Sequence, residues 1–141
     1  MSCLPRFSLI ASLLIAFAPA SPAQSYYPLQ ELLSTSQTVM GEDIRYPDSG
    51  KPRITVSVVT VAPGSQAAFH RHPAPLVAYI LEGELTVDYG EKGSKTFRAG
   101  EAMVEAMHVA HRGTNSGPGI VKLLAVYIGA EGTENVVLGD K

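Results

Sequence analysis

The chain has 141 residues, enough for one domain and too few for two ordinary ones. Apolar residues make up 45%, charged residues 17% and the net charge is −2, which excludes a disordered chain and shows no basic excess for nucleic acid. The single cysteine excludes a disulfide scaffold and a zinc finger.

Residues 1–23 read as an export signal. Arg6 supplies the positive end, residues 9–18 are apolar, and Ser21 and Ala23 are small residues suited to cleavage after Ala23. Cleavage after Ala20 is the other reading. The apolar run is shorter than the roughly 20 residues of a spanning helix. The processed protein is therefore expected to be periplasmic or secreted, with no membrane attachment. Cys3 would leave with the signal, and a cysteine-free remainder suits an oxidising compartment.

Residues 24–52 form an N-terminal leader with edge elements. Leu29, Leu32 and Leu33 fall at i, i+3 and i+4, a spacing that predicts one or two helical turns docking an apolar edge. Residues 53–138 read as one β domain. Residues 53–62 are rich in β-branched side chains, and Pro63-Gly64 ends that strand. Short strands follow over 69–72, 76–81, 85–89, 95–98, 102–105 and 109–114. They are separated by the Glu82-Gly83 turn, the Gly90–Gly93 hairpin loop and the Ala99-Gly100 turn. The run Asn115 to Gly119 turns the chain into a strand over 120–128, and 135–138 is a further edge. About ten short strands, and high glycine (13) and proline (10), predict an all-β sandwich or barrel.

The chain has four histidines, His70, His72, His108 and His111. In a strand, residues i and i+2 share a face, so His70 and His72 present two imidazoles together. Neutral imidazole is a common ligand for transition metals. His70 lies six residues after Gly64, and Gly83 closes the following strand. His111 lies eleven residues after Gly100 and four before Asn115. These two segments resemble the paired motifs of the cupin superfamily. The first aligns on Gly64, His70, His72, Leu76 and Gly83. The second aligns on Gly100, Ala106, His108, His111 and Asn115.

The resemblance implies a single-domain jelly-roll β-barrel of the cupin type, with one divalent transition metal ion (zinc, copper, iron, manganese or nickel) on His70, His72 and His111. It also implies a small-molecule ligand or substrate and a homodimer. The motif's usual glutamate is replaced by Leu76. Three neutral imidazoles leave a divalent ion its full charge and favour an anionic or chelating ligand. Leu76 makes that wall of the site apolar. His108 stands where the motif has glycine and is read as a mouth residue ahead of a ligand. Glu101 and Glu105 are read as solvated turn carboxylates, Tyr79 as packing, and Met103 and Met107 as core. No dedicated general base stands out. The leading functional expectation is a metal centre with oxygenase-type chemistry on a small chelating substrate. A non-catalytic ligand- or metal-binding module and a metal-free structural protein are the alternatives.

Overall fold

The computed structural model describes residues 27–139. The signal segment and its cleavage site lie outside them. The described chain carries nine strands, one short 3-10 turn and no α-helix. The strands are β1 (Pro52–Val61), β2 (His70–Arg71), β3 (Leu76–Glu82), β4 (Glu84–Asp88), β5 (Ser94–Arg98), β6 (Ala102–Val104), β7 (Arg112–Thr114), β8 (Val121–Ala130) and β9 (Val137–Leu138). The periodicity of the sequence thus identifies each strand, with shifts of a few residues at the ends.

The strands form three antiparallel sheets. One has the order β1-β8-β3-β6, one β5-β4-β7, and one pairs β2 with β9. Among the described residues, no single closed ladder runs round all of them. Strands β1 and β8 pair over their full length, from Pro52↔Ala130 to Val61↔Val121. Alternation sorts the faces of β8: Val121, Leu123 and Ala125 are buried, while Lys122, Leu124 and Val126 are only half-buried. On β3 the buried Ala78 and Ile80 pair with Ala125 and Leu123, and the buried Met103 of β6 pairs with Ala78 in turn. From the three-stranded sheet, Leu85 and Val87 of β4 join the same core. Burying a side chain such as Ile80 contributes about 2 kcal/mol. Side chains of both larger sheets line one cavity of about 140 Å³, so the two sheets face each other across it.

The turn between β3 and β4 needs its glycine. Gly83 has φ +80°, and a Cβ there would meet the Ile120 carbonyl oxygen at 2.6 Å.

Two expectations need correction. The leader forms no helical turn: residues 27–35 are extended or irregular, and Leu29 is 91% exposed. A helix of one or two turns lies below the length at which helices nucleate unaided, so the leucine spacing does not suffice. Residues 27–37 are all exposed, and of the leader Leu33, Ile44 and Tyr46 border a groove with Val77, Val104 and Ile128 of the four-stranded sheet. The strand expected over 109–114 is also shorter. The amides of Met107, His108 and Val109 donate to the Glu42 carboxylate at 2.9, 2.8 and 3.2 Å, so they are not available to a neighbouring strand. Regular pairing resumes only at Arg112.

Candidate metal centre

Backbone pairing brings the histidines together. His70 N–H donates to the His111 carbonyl at 2.9 Å, and His111 N–H returns to the His70 carbonyl at 3.0 Å. His72 follows two residues on, and its N–H reaches the Met107 carbonyl at 3.2 Å. The ring centroids lie 4.6 Å apart for His70 and His111, 5.0 Å for His70 and His72, and 5.1 Å for His72 and His111. One ligand nitrogen from each ring lies within 4.8 Å of the others.

Each ring is held by its other edge. The Nδ1 atoms of His70, His72 and His111 lie 2.8, 2.8 and 2.9 Å from the carbonyls of Ala68, Asn135 and Val109. A carbonyl only accepts, so each Nδ1 carries the hydrogen and each Nε2 keeps its lone pair. His111 Nε2 is buried and has no hydrogen-bond partner among the described residues. A buried acceptor left without a donor costs free energy, and a metal ion satisfies it. Burial also favours the neutral form of two of the rings, His70 and His72. It lowers the His70 pKa and pushes that of His72 down to about 4. Neutral imidazoles with fixed tautomers and convergent lone pairs fit a transition metal ion.

The cavity lies against this cluster. His70, His72 and His111 line it, and Leu76, Leu123 and Met103 contribute apolar wall. Leu76 therefore stands in the site as an apolar side chain, buried and paired across the sheet with Tyr127. The Tyr127 ring packs 5.8 Å from His72, and burial raises its hydroxyl pKa.

Glu105 corrects the expectation of a solvated turn carboxylate. It is 4% exposed and lines the cavity. Tyr89 Oη donates to its Oε1 at 2.8 Å, and the Ala106 N–H donates to the same oxygen at 2.8 Å. Burial first, then the Glu105 charge, pushes the Tyr89 pKa up, so the phenol keeps its proton. Glu101 is exposed as expected, and its carboxylate accepts the Arg98 N–H at 2.6 Å.

His108 does not join the cluster. It is exposed and borders an outer groove with Arg71 and Lys92, and its carbonyl accepts the Arg71 Nε–H at 2.8 Å. Asn115 has a structural task. Its Nδ2 donates to the carbonyls of Val61 and Gly119 at 2.9 and 2.8 Å, and its Oδ1 accepts the Gly117 N–H at 3.0 Å. Tyr79 pairs with Ala102 and Leu124 and is absent from the cavity wall. Met103 lines the cavity, while Met107 is buried outside it.

A family model described as Cupin domain matches residues 57–127, half of the chain. The chain belongs to the cupin family. Its strands also match solved double-stranded β-helix structures. An oxalate oxidase in complex with the substrate analogue glycolate is 25% identical with a TM-score of 0.52. That match covers 60% of this chain and 45% of the oxidase, so this cupin spans less than half of the larger protein. An uncharacterized conserved protein with a double-stranded beta-helix domain from Klebsiella pneumoniae is 22% identical with a TM-score of 0.54, over 77% of this chain and all of that one. The polyketide cyclase RemF from Streptomyces resistomycificus is 17% identical with a TM-score of 0.55, over 79% of both chains. The latter two show the fold alone. No curated protein sequence matches this cupin.

Proposed function

We propose that this protein is an exported metal-binding cupin. In this reading His70, His72 and His111 hold one divalent transition metal ion, and the adjoining cavity takes a small chelating ligand for oxygenase-type chemistry. The observation that carries the reading is the common tautomer. Three Nδ1–H groups are tied to carbonyls, three Nε2 lone pairs are left over, and the Nε2 of His111 is buried without a partner. A bound divalent ion supplies Lewis acidity toward ligand oxygens. The chain supplies a cavity of about 140 Å³ with mostly apolar walls, the size that admits a benzene-sized molecule. The glycolate complex of the similar oxalate oxidase supports a small, oxygen-rich ligand.

Export rests on the sequence pattern of residues 1–23. A chain that folds outside the cytosol would acquire zinc or copper ahead of manganese or iron, following the Irving–Williams order. A homodimer belongs to the same proposal, with edge strand β1 as its surface.

The test is metal content by plasma mass spectrometry, with and without His72→Ala. About one ion per chain is expected, lost in the variant. No ion as purified, and none taken up from zinc, copper, iron(II), manganese or nickel, overturns the metal centre. Given a loaded protein, oxygen uptake with a panel of small chelators tests the chemistry. Ligand binding without uptake or product would leave a non-catalytic binding protein.

A further inference from the structure

Strand β1 carries its pattern inside out. Val59 and Val61 line the cavity, so Ile54, Val56 and Val58 point to the opposite face. On the cavity side between them stand Thr55 and Ser57, which are half-buried, while Ile54, Val56 and Val58 are each more than half exposed. A sheet with one wet face ordinarily keeps its polar side chains outside. Register carries the apolar outer face across all four strands. Val56 stands in a row with Val126, Val77 and Val104, and Val58 in a row with Leu124, Tyr79 and Ala102. No charged side chain enters either row. At β6 the face is closed: Val104 is buried, and Leu33, Ile44 and Tyr46 of the leader border the groove beside it. At β1 it is open.

The same chain leaves a second apolar surface uncovered. The leader is pinned where the Val39 amide donates to the Val104 carbonyl at 2.8 Å and the Thr38 hydroxyl donates to Glu42 at 3.0 Å. Upstream of that anchor Tyr27, Leu29 and Leu32 are more than half exposed. We propose that these two surfaces cover each other between copies. The leader of each copy crosses to the other and lays Leu29 and Leu32 on Ile54, Val56 and Val58, and the partner returns the same contact. The inference rests on the homodimer reading above and names the segment that closes that dimer. An uncharged face calls for an uncharged partner surface, and the leader is one, present once per copy as a two-fold pair requires. Size points the same way. The face, four strands by about five residues, spans roughly 400 Å², about half of the roughly 800 Å² that each partner of a stable pair buries. Residues 27–33 in extended form reach about 23 Å, enough to cross the roughly 15 Å from the first strand to the fourth. An arm given and an arm received supply the missing area.

The test uses thiols placed one per chain. Leu32→Cys and Val56→Cys are made separately in the full chain, each with Cys3→Ser, so that a 32–56 link can only join two molecules. The two proteins are mixed, left to exchange subunits, and treated with a short bismaleimide, and the link is read by mass spectrometry of the digest. Expected is a 32–56 link at least about tenfold stronger than the link to Val56→Cys when Leu138→Cys, exposed on β9, replaces Leu32→Cys. Alongside, Leu29→Lys with Leu32→Lys should raise the dimer dissociation constant, measured by sedimentation, at least about tenfold at unchanged metal content. Both leucines are exposed, so the fold does not depend on them. A wild type that sediments as a dimer but yields no 32–56 link above the control, or a lysine variant that dimerises as tightly as the wild type, overturns the exchange and leaves the homodimer standing. A link that forms only within a single chain carrying both cysteines places the arm on its own sheet and also overturns it. A wild type that sediments as a monomer overturns the homodimer and the exchange together.

Discussion

The loop over residues 105–111 runs between two polar clusters that treat their atoms in opposite ways. At one, Glu42 is closed. Its Oε2 accepts from the Thr38 hydroxyl at 3.0 Å and from the Met107 amide, and its Oε1 accepts from the amides of His108 and Val109. At the other, the three histidines are closed on their Nδ1 edges and open on their Nε2 edges. A polar group whose every atom is paired holds the fold. A buried polar group left half-paired, on a cavity, is placed for something that arrives later.

The largest effect expected from breaking this contrast is at Glu42. Burial opposes its charge, but the His108, Met107 and Val109 amides and the Thr38 hydroxyl outweigh burial and lower its pKa. Glu42→Ala strips three amides of their acceptor and should cost about 3 kcal/mol in urea unfolding. The loop delivers His111, so zinc affinity should fall as well. A variant as stable as the wild type would show that the leader does not hold this loop.

The histidines should give the next largest effect, and its sign follows from their burial. The unfolded chain protonates His72 near its ordinary value of about 6.5, while the folded metal-free chain protonates it only at about 4. Between these values the unfolded state binds more protons, so stability falls as pH falls. His70 shifts in the same direction. Metal-free protein should therefore lose about 2 kcal/mol from His72 between pH 7 and pH 5. His72→Gln should flatten that stretch of the curve. An unchanged slope in the variant would show that His72 is not held neutral by burial. The same depression means that metal should be retained to a lower pH than free imidazole allows.

How much of this the sequence carried depends on the range of each interaction. The strands were legible because alternation is local: β8 reads as Val121, Leu123, Ala125 and Tyr127 inward, and the structure follows it. The pairing of His70 with His72 was legible for the same reason, and His111 through the family resemblance. The Nδ1 partner of His72 was not, because Asn135 lies 63 residues away. Nor was Glu42, which reaches the loop across 65 to 67 residues. Glu105 and Tyr89 stood in between. The steps Met103 to Glu105 and Val87 to Tyr89 place both inward, yet a glutamate at a strand end reads as solvated until a buried donor is seen beside it.

Apolar groups show the same contrast of closed and open, and here the smallest stability effect is expected. Ala78, Ile80 and Val121 are closed in the core. On edge strand β1, Ile54, Val56 and Val58 share one face and are 57%, 60% and 60% exposed. Beside them across the sheet stand Ile128, Val126 and Leu124, which extend the apolar surface. Among the described residues strand β1 pairs on one side only, so its free edge and its apolar face are available to a second copy. Val56→Lys places a charge in that row while leaving the core untouched, and should change monomer stability by less than about 0.5 kcal/mol. Sedimentation of the wild type should show a dimer, and the variant a monomer that keeps its metal. A wild type that sediments as a monomer, or a Val56→Lys variant that stays dimeric, would remove β1 as the interface and leave that row open for another reason.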